Sequence, residues 1–306
     1  MAKIWEEYPW YRTARAYVDF TTRTCLRSIK IEGLENIPRS GAVLLAPNHC
    51  ATLMDPLLQL QIPGLIGFGA RSDIFENPKT ARLLRWMRIV PLARERNGLA
   101  EVAKNFEVFD EIVDCLDHDI PFCMYAEGTH RAERGMLPLK KGLFRVAKMA
   151  SDQLGKPVFI YPIGTCYEDF FRGQTRVRMR VGEPMEIAEE FAKRADKPEA
   201  EIYRELCEEL RERVIALIGE PIERRHDRRG LRLLLSVLSL PLFAVCAVGA
   251  LPIWLPYLLI MRGMKDKAWS LTVRFALHFV LPLFIPFDIG FQRLLNDYKE
   301  LVADMR

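Results

Sequence analysis

Residues 42–56 read AVLLAPNHCATLMDP, and this stretch decides the fold of the chain. Its first five residues are apolar and uncharged, and such a short run is typical of a buried strand. Pro47 ends the run, so His49 lies on the loop that follows. A histidine at a strand end, with Asp55 near enough to hold its tautomer, is the minimal equipment for taking a proton from an alcohol. The stretch therefore predicts a buried strand that presents a histidine–carboxylate pair.

Asp55 and Pro56 also allow a purely structural interpretation. Asp is a good helix N-cap and Pro a good first helical residue, so the pair could simply begin a helix. On a straight helix, residues six positions apart point about 120° away from each other, so the loop must bend for Asp55 to reach the His49 ring. The two roles can coexist, because a carboxylate at a loop–helix junction can also face the histidine.

Strand-like and helix-like segments alternate on both sides of this stretch, which predicts an α/β domain over residues 31–220. Residues 176–182 alternate basic and apolar side chains, which indicates an edge strand with a solvated basic face. The other predicted strands are residues 42–46, 65–70, 88–92, 121–126 and 157–163. The predicted helices are residues 78–87, 99–117, 140–154 and 187–218.

Residues 1–30 are predicted to form an amphipathic membrane-interface helix. Aromatic and apolar residues recur near helical spacing over residues 5–30, with basic residues interleaved among them. Aromatic and basic residues on one helix are typical of a helix that lies in a membrane interface. A surface helix packed on the domain core explains the same pattern equally well.

Residues 221–306 are predicted to form a charged linker, an apolar helical hairpin and a tail. Leu233 to Ile260 is a run of 28 residues without a charge. As one helix it would be about 42 Å long, against a hydrocarbon core of about 30 Å. Phe275 to Phe287 is only 13 residues long and contains prolines. The first run is long enough to span a bilayer, but the second is too short to cross back. Together they predict a re-entrant or interfacial hairpin. One genuine span and a buried soluble hairpin are the alternatives.

The composition limits the classes of function. The net charge of +4 suits contact with an anionic membrane surface or a phosphate-bearing substrate, and it is too weak to indicate nucleic acid. The seven cysteines are odd in number and none has CxxC spacing, which predicts neither a disulfide framework nor a metal site. The N-terminus lacks the basic-then-apolar order of a signal peptide, so we expect the catalytic domain on the cytoplasmic face of a membrane.

Three further motifs follow Asn48–Pro56 in order: RWMRIVPLAR at residues 85–94, YAEGTHR at residues 125–131 and VFIYPIG at residues 158–164. The ordered set resembles the glycerolipid acyltransferases over roughly residues 30–220. The five-residue gap between His49 and Asp55-Pro56 is similar to the branch that includes some glycerol-3-phosphate acyltransferases. The chain departs from the common pattern at Met54, where Asp usually stands, and at Ala126, which replaces Pro. The basic residue of the third motif is also displaced by one.

The resemblance implies an α/β fold with a mixed sheet covered by helices and a direct acyl transfer. His49 would be the general base, with Asp55 fixing its tautomer, and Arg94 would bind phosphate. The acyl group would come from acyl-CoA or acyl carrier protein, with no cofactor and no metal. The acceptor would be a glycerol-phosphate-type hydroxyl in phospholipid synthesis, most directly that of a 1-acylglycerol-3-phosphate. The expected substrate-binding residues are Arg94, Glu127, Gly128, Thr129, Arg131 and Lys140.

Other functions remain open at this point. Glycerol-3-phosphate and lyso-aminolipids are alternative acceptors. A non-catalytic membrane-binding protein on the same fold gains support from Met54 and Ala126. A lipid hydrolase lacks support, because no Gly-x-Ser-x-Gly motif is present. Cys50 and Cys123 lie near the motifs without a second histidine beside them in sequence, so we expect no covalent acyl-cysteine.

Overall fold

The computed structural model describes residues 3–93, 105–223 and 236–305. Arg94, with most of the predicted charged linker, lies outside the described residues. The strands are β1 (Leu26–Glu32), β2 (Ala42–Pro47), β3 (Gly67–Arg71), β4 (Ile89–Leu92), β5 (Phe122–Cys123), β6 (Val158–Tyr167), β7 (Thr175–Val181) and β8 (Met185–Glu186). The longer helices are α1 (Tyr11–Cys25), α2 (Met54–Gln59), α3 (Pro78–Trp86), α4 (Asn105–Asp117), α5 (Gly142–Leu154), α6 (Ile187–Ala192), α7 (Glu199–Ile218), α8 (Leu240–Gly263), α9 (Ser270–Val280) and α10 (Ile285–Met305).

The described strands form one mixed sheet in the order β1-β7-β6-β2-β5-β3-β4, with β8 paired to β6. The central strand β2 is buried along its whole length and runs parallel to both of its neighbours, β5 and β6. Because parallel strands end at the same edge of a sheet, the loops after β2 and β5 converge with the end of β6. The predicted α/β fold with a mixed sheet and covering helices is confirmed.

The prediction that residues 176–182 form an edge strand is wrong. Strand β7 lies between β6, to which it is antiparallel, and β1, to which it is parallel. Its basic residues are also engaged, since Arg180 pairs with Glu32 at 2.7 Å and Arg178 donates to the carbonyl of Ile218 at the end of α7. Alternation reports that one face of a strand is polar, and it carries no information on whether another strand lies beside it.

The N-terminal helix is shorter than predicted. Helix α1 ends at Cys25, and the helix expected up to residue 30 is wrong for residues 26–30, which begin β1. Tyr17 of α1 donates a hydrogen bond to the carbonyl of Phe279 at 2.6 Å, and the two rings pack edge to face. Arg15 donates to the carbonyls of Leu60 and Ile62, each at 2.8 Å. These contacts match a surface helix packed on the domain.

The C-terminal region contains the expected apolar helix, but its partner helices pack on the catalytic domain. Helix α8 is 24 residues long with a mean hydropathy of 2.1, and among the described helices it is long and apolar enough to cross a membrane by itself. The segments around α9 and α10 pass the same test only as a pair, which is bent by 108°. Arg274 and His278 of α9 are buried against Asp288 of α10, at 2.7 and 3.0 Å. The second arm of the predicted hairpin, formed by α9 and the start of α10, is therefore buried, as in the alternative of a buried soluble hairpin. Helix α8, by contrast, is mostly exposed.

Candidate active site

His49 and Asp55 meet at the carboxyl end of β2. The Nδ1 atom of His49 is 2.8 Å from Oδ2 of Asp55. Thr52, between them, has φ of +50°, and this left-handed residue turns the loop back so that the carboxylate reaches the ring. The His49 side chain is 17% exposed and that of Asp55 is 1% exposed. The carboxylate is therefore enclosed, while the imidazole remains open to a substrate.

Asp55 sits among hydrogen-bond donors. Its Oδ2 also accepts the backbone N–H groups of Cys50 and Ala51, each at 2.7 Å. Its Oδ1 accepts the hydroxyl of Tyr167 at 2.7 Å. A carboxylate oxygen accepts hydrogen bonds, so these donors hold the Asp55 side chain in place next to His49. The N-cap of α2 is Leu53, and Asp55 lies inside the first turn. The interpretation of Asp55 as a helix cap is therefore wrong.

Tyr167 and Asn48 help to position the His49–Asp55 pair, called the dyad below. The sequence did not assign a role to either of these two side chains. Tyr167 ends β6 and is fully buried. Asn48 accepts the N–H of Thr165 at 2.7 Å and donates to the carbonyl of the same residue at 3.0 Å. These bonds tie the loop after β2 to the end of β6. The motif Asn48-His49 was a sequence signal for Asn48, whereas Tyr167 lies outside the predicted motifs.

Glu127 holds the His49 loop from the other side. Its Oε1 accepts the backbone N–H of His49 and its Oε2 accepts that of Leu137, each at 2.6 Å. Burial raises the pKa of Glu127 to about 7, while the two backbone N–H groups act in the opposite direction. Glu127 is thus a positioning residue for His49, and its expected contact with an acceptor stays a prediction.

The remaining predicted binding residues lie around the same loop. Gly128 has φ of +69°, a conformation that favours glycine, and its N–H donates to the carbonyl of Tyr125. Thr129, Arg131 and Lys140 are exposed. The N–H of Arg131 donates to the carbonyl of His49 at 3.1 Å, and its guanidinium pairs with Glu133 at 2.7 Å. Arg94 lies outside the described residues, so the structure gives it no position.

The cysteines near the site are unsuited to nucleophilic chemistry. Burial raises the pKa of the Cys50 thiol and that of the Cys123 thiol well above the ordinary value. Nearby carboxylates act on Cys50 in the same direction, because they disfavour a thiolate. Across residues 3–93, 105–223 and 236–305, no group of three or more His, Cys, Asp or Glu side chains is arranged as a metal site.

Residues from the C-terminal region reach the mouth of the site, which the sequence did not indicate. The ring of His130 lies 5.5 Å from that of His49, and its Nε2 is 2.8 Å from Oδ2 of Asp266. The hydroxyl of Thr272 in α9 is 2.7 Å from that of Thr52. The His130–Asp266 and Thr52–Thr272 contacts join residues more than 100 positions apart in the chain, and no local pattern reports such a contact.

Comparison with known proteins finds a family that is similar to the segment containing this site. The model of the family described as Acyltransferase matches residues 28–166. Residues 28–166 of this chain are therefore similar to the acyltransferase family. The match contains all four ordered motifs, so the acyltransferase enzyme that they predicted is confirmed.

A solved structure is also similar to this acyltransferase. It is the crystal structure of the 1-acyl-sn-glycerophosphate (LPA) acyltransferase PlsC from Thermotoga maritima, with a TM-score of 0.49 and 19% sequence identity. The similarity covers 70% of this chain and 83% of that chain. A comparison with curated proteins finds no match.

Proposed function

We propose that this acyltransferase moves a fatty acyl group from an acyl thioester to a hydroxyl of a glycerol-phosphate-type lipid at a membrane surface. The single observation that carries the proposal is the His49–Asp55 pair, with its carboxylate enclosed by donors and its imidazole open. The acceptor that fits most directly is a 1-acylglycerol-3-phosphate, as the motif resemblance implies.

The transfer requires one proton to move twice. His49 Nε2 takes the proton of the acceptor hydroxyl while the oxygen attacks the thioester carbonyl. The carbon–sulfur bond then breaks, and the imidazolium returns the proton to the leaving thiolate. Asp55 stabilises the imidazolium that exists between these events, because it accepts the hydrogen bond from Nδ1. The donor would be acyl-CoA or acyl carrier protein, and the residues of the dyad require no cofactor for this chemistry.

Basic residues beside the dyad support a phosphate-bearing acceptor. Arg131 is tied through its backbone to His49, and Lys140 is tied through its backbone to Ala126, next to Glu127. Guanidinium and ammonium groups bind phosphate oxygens through charge-assisted hydrogen bonds. Both side chains are exposed, so a headgroup that enters from solvent or from a lipid surface can reach them.

The substrates favour work at a membrane. A chain of ~16 carbons is held in a bilayer by on the order of 12 kcal/mol, at about 0.8 kcal/mol per methylene. Helix α8 offers the surface for this contact, with leucine, valine and isoleucine side chains between 37% and 71% exposed. They are Leu240, Leu242, Val245, Val248, Leu251, Leu255, Leu258, Leu259 and Ile260.

The packing of α8 favours a position in the plane of the interface over a span. Ser239 at its start bonds to Tyr298 at 2.9 Å, and Gly249 contacts Phe287, so α8 lies antiparallel along α10. Tyr257 near its end bonds to Ser270 at 2.7 Å. Because α9 and α10 pack on the catalytic domain, α8 is held along the domain from end to end. A span would draw that domain into the hydrocarbon, where charged groups are strongly disfavoured.

Charge complementarity favours an anionic lipid surface as the partner of α8. Residues 224–232, which precede α8 in sequence, include five arginines. Arg262 lies in the last turn of α8, and Lys265 follows the helix. Basic residues next to an apolar helix are attracted to anionic headgroups by about 1 kcal/mol each. We therefore propose that the outer face of α8 enters one leaflet and that the catalytic domain stays on the cytoplasmic side.

Cysteine labelling on sealed inverted vesicles tests this orientation. All seven native cysteines are buried, so cysteines introduced at Lys265 and Lys299 provide the labelling sites. An impermeant reagent is expected to label both positions from the cytoplasmic side. Labelling of Lys299→Cys without Lys265→Cys would show that α8 crosses the bilayer and would refute the in-plane position.

A panel of acceptors tests the activity itself. Purified protein in anionic vesicles is assayed for thiol release and ester formation with acyl-CoA or acyl carrier protein. The acceptors are 1-acylglycerol-3-phosphate, glycerol-3-phosphate, lyso-aminolipids and other lysophospholipids. We expect transfer to a phosphate-bearing acceptor and background rates for His49→Ala, since general-base catalysis contributes roughly 10²–10⁴-fold. Vesicle binding without turnover of any donor would favour the non-catalytic alternative.

A further inference from the structure

The mouth of the active site contains side chains from outside the segment that matches the acyltransferase family. His130 lies in the loop after β5, beside His49. Its partners, Asp266 and Trp269, belong to the turn that joins α8 to α9, beyond residue 166. The Trp269 ring stands edge to face with that of His130, at 6.4 Å between centroids. The C-terminal region therefore forms one wall of the site.

This turn is fixed in place by contacts at both ends. Oδ1 of Asp266 accepts the N–H of Ala268 at 2.9 Å, which caps the short helical turn Lys267–Trp269. Ser270 donates to the carbonyl of Phe171 at 2.6 Å, and Leu271 is fully buried against residues of the first motif. The carboxylate that faces His130 consequently has a defined position relative to His49.

The pairing leaves a defined part of His130 for a ligand. An imidazole has two nitrogens, and Nε2 of His130 is engaged by Asp266, so Nδ1 is the atom that can contact a substrate. When His130 is protonated, Nδ1–H is a donor and Asp266 balances the charge of the ring. The hydrogen bond from His130 lowers the pKa of Asp266, so this carboxylate stays ionised near neutral pH.

We propose that Asp266 is a positioning residue for the acceptor, and that it holds His130 so that Nδ1–H binds the phosphate group of the acceptor next to His49. The proposal rests on the proposed function, because it assumes transfer to a phosphate-bearing lipid. It extends the acceptor site beyond the family segment and gives the C-terminal region a part in substrate selection. Asp266 acts on the acceptor through His130, and His130 makes the contact.

Steady-state kinetics on anionic vesicles test this arrangement. Asp266→Asn keeps an oxygen that can accept from Nε2 but removes the charge, and His130→Ala removes the donor. Both variants are expected to raise the KM for 1-acylglycerol-3-phosphate roughly tenfold, as for the loss of one charge-assisted hydrogen bond. The KM for the acyl thioester and kcat are expected to stay within roughly threefold, because these residues act in acceptor binding. Asp266→Asn combined with His130→Ala is expected to match His130→Ala alone.

Two further variants separate a phosphate contact from simple docking of the C-terminal region. Asp297→Asn breaks another ion pair of this region, at 3.1 Å from Arg27, and is expected to leave the acceptor KM unchanged. A guanidinium is charged without help from a carboxylate, so His130→Arg combined with Asp266→Asn is expected to restore the acceptor KM to within roughly threefold.

Each contrary result has a distinct meaning. An unchanged acceptor KM in Asp266→Asn and His130→Ala, or an equal rise in Asp297→Asn, would overturn the proposal while the proposed function stands. Failure of His130→Arg combined with Asp266→Asn to restore acceptor binding would equally refute a phosphate contact. If the wild-type protein transfers no acyl group to a phosphate-bearing acceptor, the proposed function fails and this proposal falls with it.

Discussion

Asp55→Asn separates the charge of the carboxylate from its hydrogen bonds. Oδ2 of Asp55 accepts from the imidazole of His49 and from backbone N–H groups, and an Asn oxygen can accept the same bonds. The new NH₂ group then faces the hydroxyl of Tyr167, which can rotate to accept instead of donate. Shape and pairing are retained, so we expect the melting temperature to change by only a few degrees.

The loss of charge acts on the transition state. When His49 takes the acceptor proton, a positive imidazolium forms with its Nδ1 atom 2.8 Å from the carboxylate oxygen. Taking the centres of charge as about 4 Å apart, their attraction is about 4 kcal/mol at an effective dielectric constant of about 20. Because each 1.36 kcal/mol is a factor of ten in rate, we expect the turnover number to fall on the order of 10³-fold.

A continuous assay of thiol release, at saturating donor and acceptor in anionic vesicles, measures this change. Tyr167→Phe is the matched control, since it removes one donor to Asp55 and leaves the charge next to His49. We expect that control to lose less than roughly tenfold in turnover. If folded Asp55→Asn keeps turnover within a few-fold of wild type, Asp55 has a structural role and the proposed mechanism is wrong.

Three other perturbations follow from the structure. Burial raises the pKa of Glu127 in the folded state to about 7, above its ordinary 4.5, so the folded state holds that proton more tightly than the unfolded state. The free energy of unfolding should therefore fall by on the order of 3 kcal/mol from pH 4.5 to 7, relative to that of Glu127→Gln. Identical pH dependence of the free energy of unfolding in the two proteins would contradict this. Asp288→Asn leaves Arg274 buried without its partner and should lower stability by about 3–5 kcal/mol in denaturant titration; a loss below about 1 kcal/mol would refute the buried pair. Val248→Asp should weaken sedimentation with anionic vesicles roughly tenfold, whereas Leu83→Asp, at an exposed apolar position on α3, should not; equal effects would place the lipid contact elsewhere.

The location of the dyad could be read from local sequence. The apolar run before Pro47 predicted a strand over residues 42–46, and β2 spans Ala42–Pro47. The order of four short motifs then paired His49 with Asp55, which the structure places in contact. A short uninterrupted apolar run and a motif are both properties of a few neighbouring residues, so a single sequence carries them.

Errors arose where the answer depended on a neighbour distant in sequence. Residues 26–30 continued the pattern of α1 but form a strand, because β7 offers a parallel partner. The same pairing makes β7 an interior strand. The second apolar run was expected to accompany α8 as one arm of a hairpin, yet Arg274 and Asp288 at its two sides form a buried pair that fixes it to the domain. The mean hydropathy of a segment averages over all its residues, so it does not show which side chains form ion pairs with residues elsewhere in the chain.

The sequence by itself determined an α/β acyltransferase with a histidine–aspartate pair after a buried strand, because periodicity and short motifs are encoded within a few turns of chain. The tertiary structure alone decided what surrounds that pair. Tyr167 reaches Asp55 because β6 lies parallel to β2, and Asp266 reaches His130 because α9 packs against the first motif. These contacts join residues more than 100 positions apart, and they exist only because burial of the sheet and helices selects one packing of the whole chain.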